Sequence, residues 1–508
     1  MRVRFDRNPR PRRTRVPPDA AGTATGPSGV HGDSNRVRVV KFGGSSLAGS
    51  GRFEAAVDHI AALRASGVRP VVVTSALGGT TDRLLELARR TGADRSPREL
   101  DAILATGETA AAALFAGSLE GRGIAARSVA AATLGLHTDD RHGAATIRAF
   151  DPSRLTRTLD DGIVPIVAGF QGVGPDGATT TLGRGGSDTT AIACAVALGE
   201  AFGLGIECDL LTDVPGLHTR DPNLERRLGL ESSKRSRSAP RTIACLSTRE
   251  MLALSRAGSR LVAPAAARLA ETHDVPVRIA SAAAPHPGTR IDSHLELASN
   301  EFAIAVGTNR VAVRRDAEIE RPEHRATLRA SLDRALGPSS WQWTDGGPAG
   351  PTLLIPEELG PQILERLRRI ESKSESPSTW TTSPLAATIT VVAGGEHLFS
   401  RLPEPKARIG PRTPVWHVPR RPDSPTSSTI DAIALFEMVD RWHDLLANAP
   451  STQESAGERT SAAVVEAVPT PHRIESIGDR AGDPGFTDSP ASTATDSFPP
   501  GRSRSHAT

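Results

Sequence analysis

The sequence predicts an α/β protein: a three-layer sandwich with a mostly parallel central sheet, followed by two small α+β units. Three observations carry this reading. Short β-branched runs alternate with helical stretches through the first half of the chain. Those runs are apolar at successive positions, which a strand needs when helices cover both faces of its sheet. Beyond residue 300 the order changes to strand, helix, strand, strand, helix, and a second similar unit follows a Ser-rich linker at 372–379. With 508 residues the chain is long enough for two to four domains and a large core.

VRVVKF (37–42) reads as the first strand, and GRFEAAVDHIAALRASG (51–67) as a helix with Phe53, Val57, Ile60 and Leu63 on one face. RPVVVTS (69–75) is a second strand, DRLLELARR (82–90) a second helix, and AILATGETAAAALFAG (102–117) a buried, Ala-rich helix. IVPIVAGF (163–170) is a buried strand, SDTTAIACAVALGEA (187–201) a helix and ECDLLTDV (207–214) another strand. Ligands of such sheets bind beyond the carboxyl ends of the strands. The composition shifts near 290–301; strands at 303–313, 340–343 and 352–356 and helices at 323–336 and 358–370 make the first small unit. The second runs from ATITVVAGG (387–395) through TPVWHVP (413–419) to a helix at 428–446. Both look like a regulatory or dimerising module. The expected division is a disordered Arg/Pro-rich tail (1–34), a catalytic domain (35–292), small domains at 301–375 and 386–448, and a second disordered tail (449–508).

Net charge is +3, mildly basic, which suits an anionic substrate but is too weak to argue for nucleic acid. Aromatics are 3% and tyrosine is absent, so base-stacking platforms are not expected. No apolar stretch of membrane-spanning length is free of charge, and the N-terminus lacks the apolar run of a secretory signal. Cys194, Cys208 and Cys245 lack metal-ligand spacing and read as reduced residues of a cytoplasmic protein. The chain has 61 Lys plus Arg, yet its only lysines are Lys41, Lys234, Lys373 and Lys406. Where arginine has replaced nearly every lysine, one that remains between a strand and a glycine pair marks a place for a compact ammonium.

Five segments carry the chemistry. In KFGGSS (41–46), Gly43 and Gly44 let the backbone approach a ligand, and the N–H groups of Gly43, Gly44 and Ser45 can bed an anion. A turn after an edge strand is the ordinary alternative. In TLGRGGSDTTA (181–191), Arg184 can grip a carboxylate and Asp188 can hold an ammonium. The plain alternatives are a surface charge and a helix cap. Glu108 is the only charge from Ala102 to Leu119, and a carboxylate there needs a cation or a raised pKa unless it lies on an exposed stripe. TSALGGTTD (74–82) offers Ser75, Thr80 and Thr81 beside Gly78 and Gly79. LLTDVPGLHTRDP (210–222) offers Thr212 and Asp213 to a nucleotide and His218 to a base or ribose, though an ordinary turn histidine fits equally.

These motifs, with GE (107–108) and AGSRLVAP (257–264), occur in the order seen in aspartate kinases, and the chain resembles that family, within the amino-acid kinase superfamily, over about 36–292. The units beyond 300 resemble paired ACT domains in their order of elements. The resemblance implies an ATP-dependent phosphorylation of the L-aspartate β-carboxylate, giving 4-phospho-L-aspartate, the entry to lysine, threonine and methionine synthesis. It implies that Lys41 contacts the transferring phosphoryl group and that Asp188 orients Lys41. Arg184 would bind the substrate α-carboxylate and Glu108 its ammonium, while Ser75, Thr81 and Ser187 line the amino-acid pocket. Thr212, Asp213, His218 and Arg260 would surround ATP, with Mg²⁺ held through the nucleotide and not by a protein metal site. A homodimer or larger homo-oligomer through the ACT-like domains is also implied. A sister kinase acting on glutamate and a non-catalytic sensor of amino acid or nucleotide are the competing readings. Some positions depart from the family pattern: His218 stands where tyrosine is usual, Asn223 where arginine is common and Ala263 where histidine is usual. The segment 224–242 is longer and more basic, and EHRATLRASLDRAL (323–336) lacks the effector signature.

Overall fold

Val39 and Val40 are neighbours in one strand, so their side chains leave opposite faces, and both are fully buried. Val39 joins a core with Val71, Val73, Val167 and Ile192; Val40 joins another with Val72, Ile166 and Phe115. Two cores flanking one strand require a covering layer on each face, and the sequence forms the expected three-layer α/β sandwich. The computed structural model describes residues 2–5, 36–230, 238–282, 287–315, 332, 342–346, 352–356, 364–365, 367, 380–403, 405, 407–410, 413–419 and 428–449.

The strands up to residue 291 are β1 (Val3–Arg4), β2 (Val37–Phe42), β3 (Arg69–Thr74), β4 (Ala126–Val129), β5 (Leu136–Thr138), β6 (Ile147–Phe150), β7 (Val164–Ala168), β8 (Gln171–Val173), β9 (Thr179–Thr181), β10 (Glu207–Thr212), β11 (Cys245–Leu246), β12 (Val277–Ser281) and β13 (Thr289–Ile291). Between them run α1 (Ser50–Ala65), α2 (Thr80–Thr91), α3 (Pro97–Glu120), α4 (Ala131–Leu134), α5 (Ser153–Asp160), α6 (Gly186–Phe202), α7 (Leu224–Arg227), α8 (Thr248–Ala257) and α9 (Pro264–His273). The main sheet has the order β11-β13-β12-β10-β2-β3-β7-β4, parallel except between β12 and β13. One covering layer contains α1 and α3, through Val57, Ile60, Phe115 and Leu119. The other contains α6, α8 and α9, through Ile192, Leu254 and Ala266. By length and composition α3 could also cross a membrane; here its Phe115 and Leu119 are fully buried, and so are the carboxylates of Asp101 and Glu108.

A second sheet, β1-β6-β5-β8-β9, is not foreseen in the sequence. Its strands are short, and β9 is Thr-Thr-Thr, too polar and brief to stand out as a run. Within the stretch expected as a disordered tail, Val3–Arg4 is a strand paired with Phe150 and Ala149; residues 6–35 of that tail lie outside the described residues, as does the tail beyond 449.

The C-terminal strands also pair in a way the sequence does not reveal. These are β14 (Phe302–Arg315), β15 (Gln342–Gly346), β16 (Thr352–Pro356), β17 (Trp380–Ala393), β18 (Ala407–Gly410) and β19 (Thr413–Pro419), and they close into one barrel, β14-β16-β15-β18-β19-β17. β14 and β17 run antiparallel from Phe302 opposite Ala393 to Arg315 opposite Trp380. The two expected small units therefore share one sheet. The expected helix at 428–446 is α10 (Ser428–Ala447). The helices expected at 323–336 and 358–370 fall largely outside the described residues, of which Leu332, Leu364, Glu365 and Leu367 are helical.

Candidate active site

The carboxyl ends of β2, β3, β7 and β10 meet at one edge of the main sheet, and most of the chemistry-bearing residues sit there. Lys41 lies on β2 between β10 and β3, opposite Leu210 and Val73. Its ammonium reaches Asp188 Oδ1 at 2.5 Å, in a largely buried pair with side chains 13% and 10% exposed. Asp188 stands in the first turn of α6, whose amino end has no side-chain cap bond. The carboxylate therefore serves Lys41 and is not a cap.

The turn after β2 is shaped by close backbone approach. Gly43 N–H donates to Leu211 O at 3.1 Å, and a Cβ at Gly43 would stand 3.6 Å from the Lys41 Nζ. A Cβ at Gly44 would come within 2.8 Å of Ala76 O, so only glycine lets the loops after β2 and β3 pack directly. The turn is thus a cradle that a side chain would fill. Ser45 is exposed beyond it, its carbonyl accepting from Arg52 at 3.0 Å.

Glu108 lies under the loop after β3. It is 5% exposed, and Ala76 N–H donates to its Oε1 at 3.1 Å. Oε2 is buried with no hydrogen-bond partner among the described residues. Burial raises its pKa to about 7, against the lowering effect of the Ala76 bond. The exposed-stripe alternative therefore does not hold. Ser75 and Thr81 flank the same loop, half-buried. Buried Ser187 packs against Gly169, where a Cβ would lie 2.9 Å from its Oγ.

Arg184 is exposed on the loop between β9 and α6, with no ion pair among the described residues. That loop closes on the α8–α9 connection: Gly185 has φ 71°, and a Cβ there would overlap Ala263, the residue capping α9.

Thr212, Asp213, His218 and Arg260 line one cavity of about 220 Å³, together with Asp221 and Arg227. Thr212 and Asp213 also border a smaller hollow shared with Ser46 and Arg52, on the side of the glycine turn. Desolvation, then the Arg227 and Arg184 cations, hold the Arg260 guanidinium below its usual value. A guanidinium crowded by other cations in this way favours an anion beside it. Among the described residues no group of three His, Cys, Asp or Glu could hold a metal ion.

Asp101 is a functional candidate that the sequence reading passes over. It is 1% exposed and accepts Thr181 Oγ1 at 2.5 Å, Thr181 N–H at 2.9 Å, Gly143 N–H at 3.0 Å and His142 Nδ1 at 2.8 Å. It thereby fixes the end of β9, three residues before Arg184. A signal was available: Asp101 and Glu108 are seven positions apart, two helical turns, and so share the buried face of α3.

Comparison with known proteins accords with this geometry. Residues 36–281 match the model of the amino acid kinase family. Over 355 residues, 68% of the chain, it is 34% identical to an aspartokinase of Corynebacterium efficiens, covering 79% of that protein. It is 37% identical over 253 residues to an aspartokinase of Thermus thermophilus and 38% identical over 259 to one of Geobacillus stearothermophilus, spanning 58% and 60% of their lengths. The fold is similar to that of E. coli aspartokinase III in complex with aspartate and ADP, with a TM-score of 0.60 at 22% identity over 81% of this chain and 99% of that one. Clostridium acetobutylicum aspartate kinase has the same fold, with a TM-score of 0.53 at 19% identity over 81% of this chain and all (100%) of that one. The chain belongs to the aspartokinases, a branch of the amino acid kinase family.

Proposed function

We infer that the chain transfers the γ-phosphoryl group of ATP to the β-carboxylate of L-aspartate, forming 4-phospho-L-aspartate and ADP. The observation that carries this is the 2.5 Å pair of Lys41 and Asp188 beside a glycine cradle, with Arg184 on the loop that leads to Asp188 and the buried Glu108 under the loop that packs on Gly44. An α-amino diacid needs those contacts: a cation for its α-carboxylate, an anion for its ammonium, and a free end aimed at the phosphoryl group. Arg184 supplies the first and Glu108 the second. Glutamate as substrate and a non-catalytic sensor are not favoured, given the aspartokinase relatives.

The reaction needs no strong base. The attacking β-carboxylate has a free pKa of about 3.9 and is already ionised near neutrality. As its oxygen bonds to the γ-phosphorus, the bond to the ADP oxygen breaks and its electrons leave with ADP. Catalysis then consists of in-line placement and neutralisation of charge spread over the phosphoryl oxygens. Lys41 is the point charge for those oxygens, and Asp188 fixes its direction. Ser75, Thr81 and Ser187 complete the amino-acid side. Thr212, Asp213, His218 and Arg260 belong to the nucleotide side, with Gly44 and Ser45 offering backbone N–H groups; the Gly43 N–H is taken by Leu211 O, and Gly43 contributes the open space beside the Lys41 ammonium. Mg²⁺, bound through ATP, would supply further neutralisation, and Asp213 would be a carboxylate of this cavity able to help hold it.

The same reading takes in a kinase domain at 35–292, two ACT-like halves at 301–375 and 386–448, a homo-oligomer formed through them, and cytoplasmic residence, which three free thiols support. It also gives the chain the entry step to lysine, threonine and methionine. Purified protein with Mg-ATP should form hydroxylamine-trappable acyl phosphate from aspartate and far less from glutamate. Absence of product from folded protein would sink the reading.

A further inference from the structure

The cavity assigned to the nucleotide is not built by the kinase region alone. Ala303–Val306 of β14 form one wall. Ile304 N–H donates to Thr219 O at 2.7 Å, and Arg220 bridges to Ile304, so residues 218–220 run alongside the barrel strand. The far side of this segment is gripped by α10. Arg220 Nη2 donates to Asp440 Oδ1 at 3.1 Å, with both side chains 4% exposed, and the guanidinium lies 5.8 Å from the centre of the Phe436 ring. His443 is fully buried, with Nε2 2.7 Å from Thr219 Oγ1 and Nδ1 2.8 Å from Ser238 Oγ. Burial holds it neutral, with a pKa of about 4, so one ring nitrogen donates and the other accepts. Asp440 and His443 are three positions apart, on one face of α10.

The residues so held sit within the cavity wall. Thr219 and Arg220 are fixed to α10; Arg220 itself lines the cavity, as do His218 and Asp221 immediately before and after the pair. A buried ion pair adds little stability over an apolar pair of the same shape, so its distinctive contribution is geometric: it fixes one position of the groups it joins. We propose that Asp440 and His443 are positioning residues for nucleotide binding, which set from the C-terminal helix the loop that carries His218 and Asp221. The proposal rests on the reading of this cavity as the ATP site.

The test uses the full chain. Asp440→Asn keeps the shape and removes the charge; His443→Phe keeps a ring against Phe302 and removes both hydrogen bonds. ATP affinity is measured by calorimetry without aspartate, folding by circular dichroism, and the KM of aspartate at saturating ATP. Each variant is expected to bind ATP about tenfold more weakly, with the aspartate KM within about twofold of the parent. If Asp440→Asn does not fold, His443→Phe decides the matter. Parent-like ATP affinity in the folded variants, or equal weakening toward ATP and aspartate, overturns the proposal. A parent chain that does not bind ATP overturns the functional reading and this proposal with it.

Discussion

Lys41 and Arg184 are both cations, and their settings explain why the chain kept one as lysine. The Lys41 ammonium is clamped to Asp188 at 2.5 Å in a largely buried pair on a central strand, where a wider planar fork would carry its charge to a different point. We predict that Lys41→Arg is nearly as damaging as Lys41→Ala, each lowering kcat by about 10²–10³-fold; a parent-like rate in the arginine variant would show that charge suffices without geometry. Glu108 gives a pH prediction. Its folded pKa of about 7 lies above the ordinary 4.5, so substrate-free protein has its full contribution to stability below pH 4.5 and loses it as pH rises through 7. The difference corresponds to about 3 kcal/mol. Glu108→Gln should therefore be more stable than the parent at pH 8 and equal to it near pH 4.5, by urea melts of substrate-free protein. The same variant should raise the aspartate KM about tenfold with little change for ATP. The substrate ammonium should also draw a proton off Glu108, so calorimetry in buffers of different ionisation enthalpy should detect proton release on aspartate binding near pH 7.

At the scale of elements, Asp101 links α3, β9 and the 139–146 loop, and so seats the segment ending in Arg184. Asp101→Asn turns an N–H₂ group toward donors and should cost about 2–4 kcal/mol in urea unfolding. The aspartate KM should rise with it, while ATP affinity stays near the parent value; an unchanged aspartate KM in folded protein would limit Asp101 to stability. Legibility differed sharply between elements. β2, β3, β7 and β10 could be read because doubly covered strands are continuously apolar, as Val71–Val73 show. Lys41 and Glu108 could be read because charge is rare in such surroundings, and Arg184 and Asp188 because glycines crowd the turn that carries them. Asp101 escaped because the apolar run of α3 begins one residue after it. The contacts of α10 escaped for another reason: Thr219 and His443 are 224 positions apart, and no local pattern joins them.

On the scale of the whole molecule, the barrel joins what the sequence presents as two units. Pairing of β14 with β17 along 302–315 and 380–393 means that neither half can open without stripping the other of its hydrogen bonds. Ile389, fully buried between them, is a test position. Ile389→Ala should cost about 2–5 kcal/mol, and hydrogen exchange should speed up equally in both strands. Loss of protection in 380–393 alone would mean that the halves are energetically separate.

Lys41 is the only lysine among the described residues, and the chain holds four. A protease cutting after lysine therefore leaves five peptides, the first ending at residue 41. An acyl phosphate of a nucleotide, which carries an amine-reactive carbonyl where the γ-phosphoryl would lie, would find the Lys41 amine within its reach. Modification there would erase the cut and fuse residues 1–234 into one fragment. Occupancy of the site could then be read from a digest by mass spectrometry, without any assay of turnover.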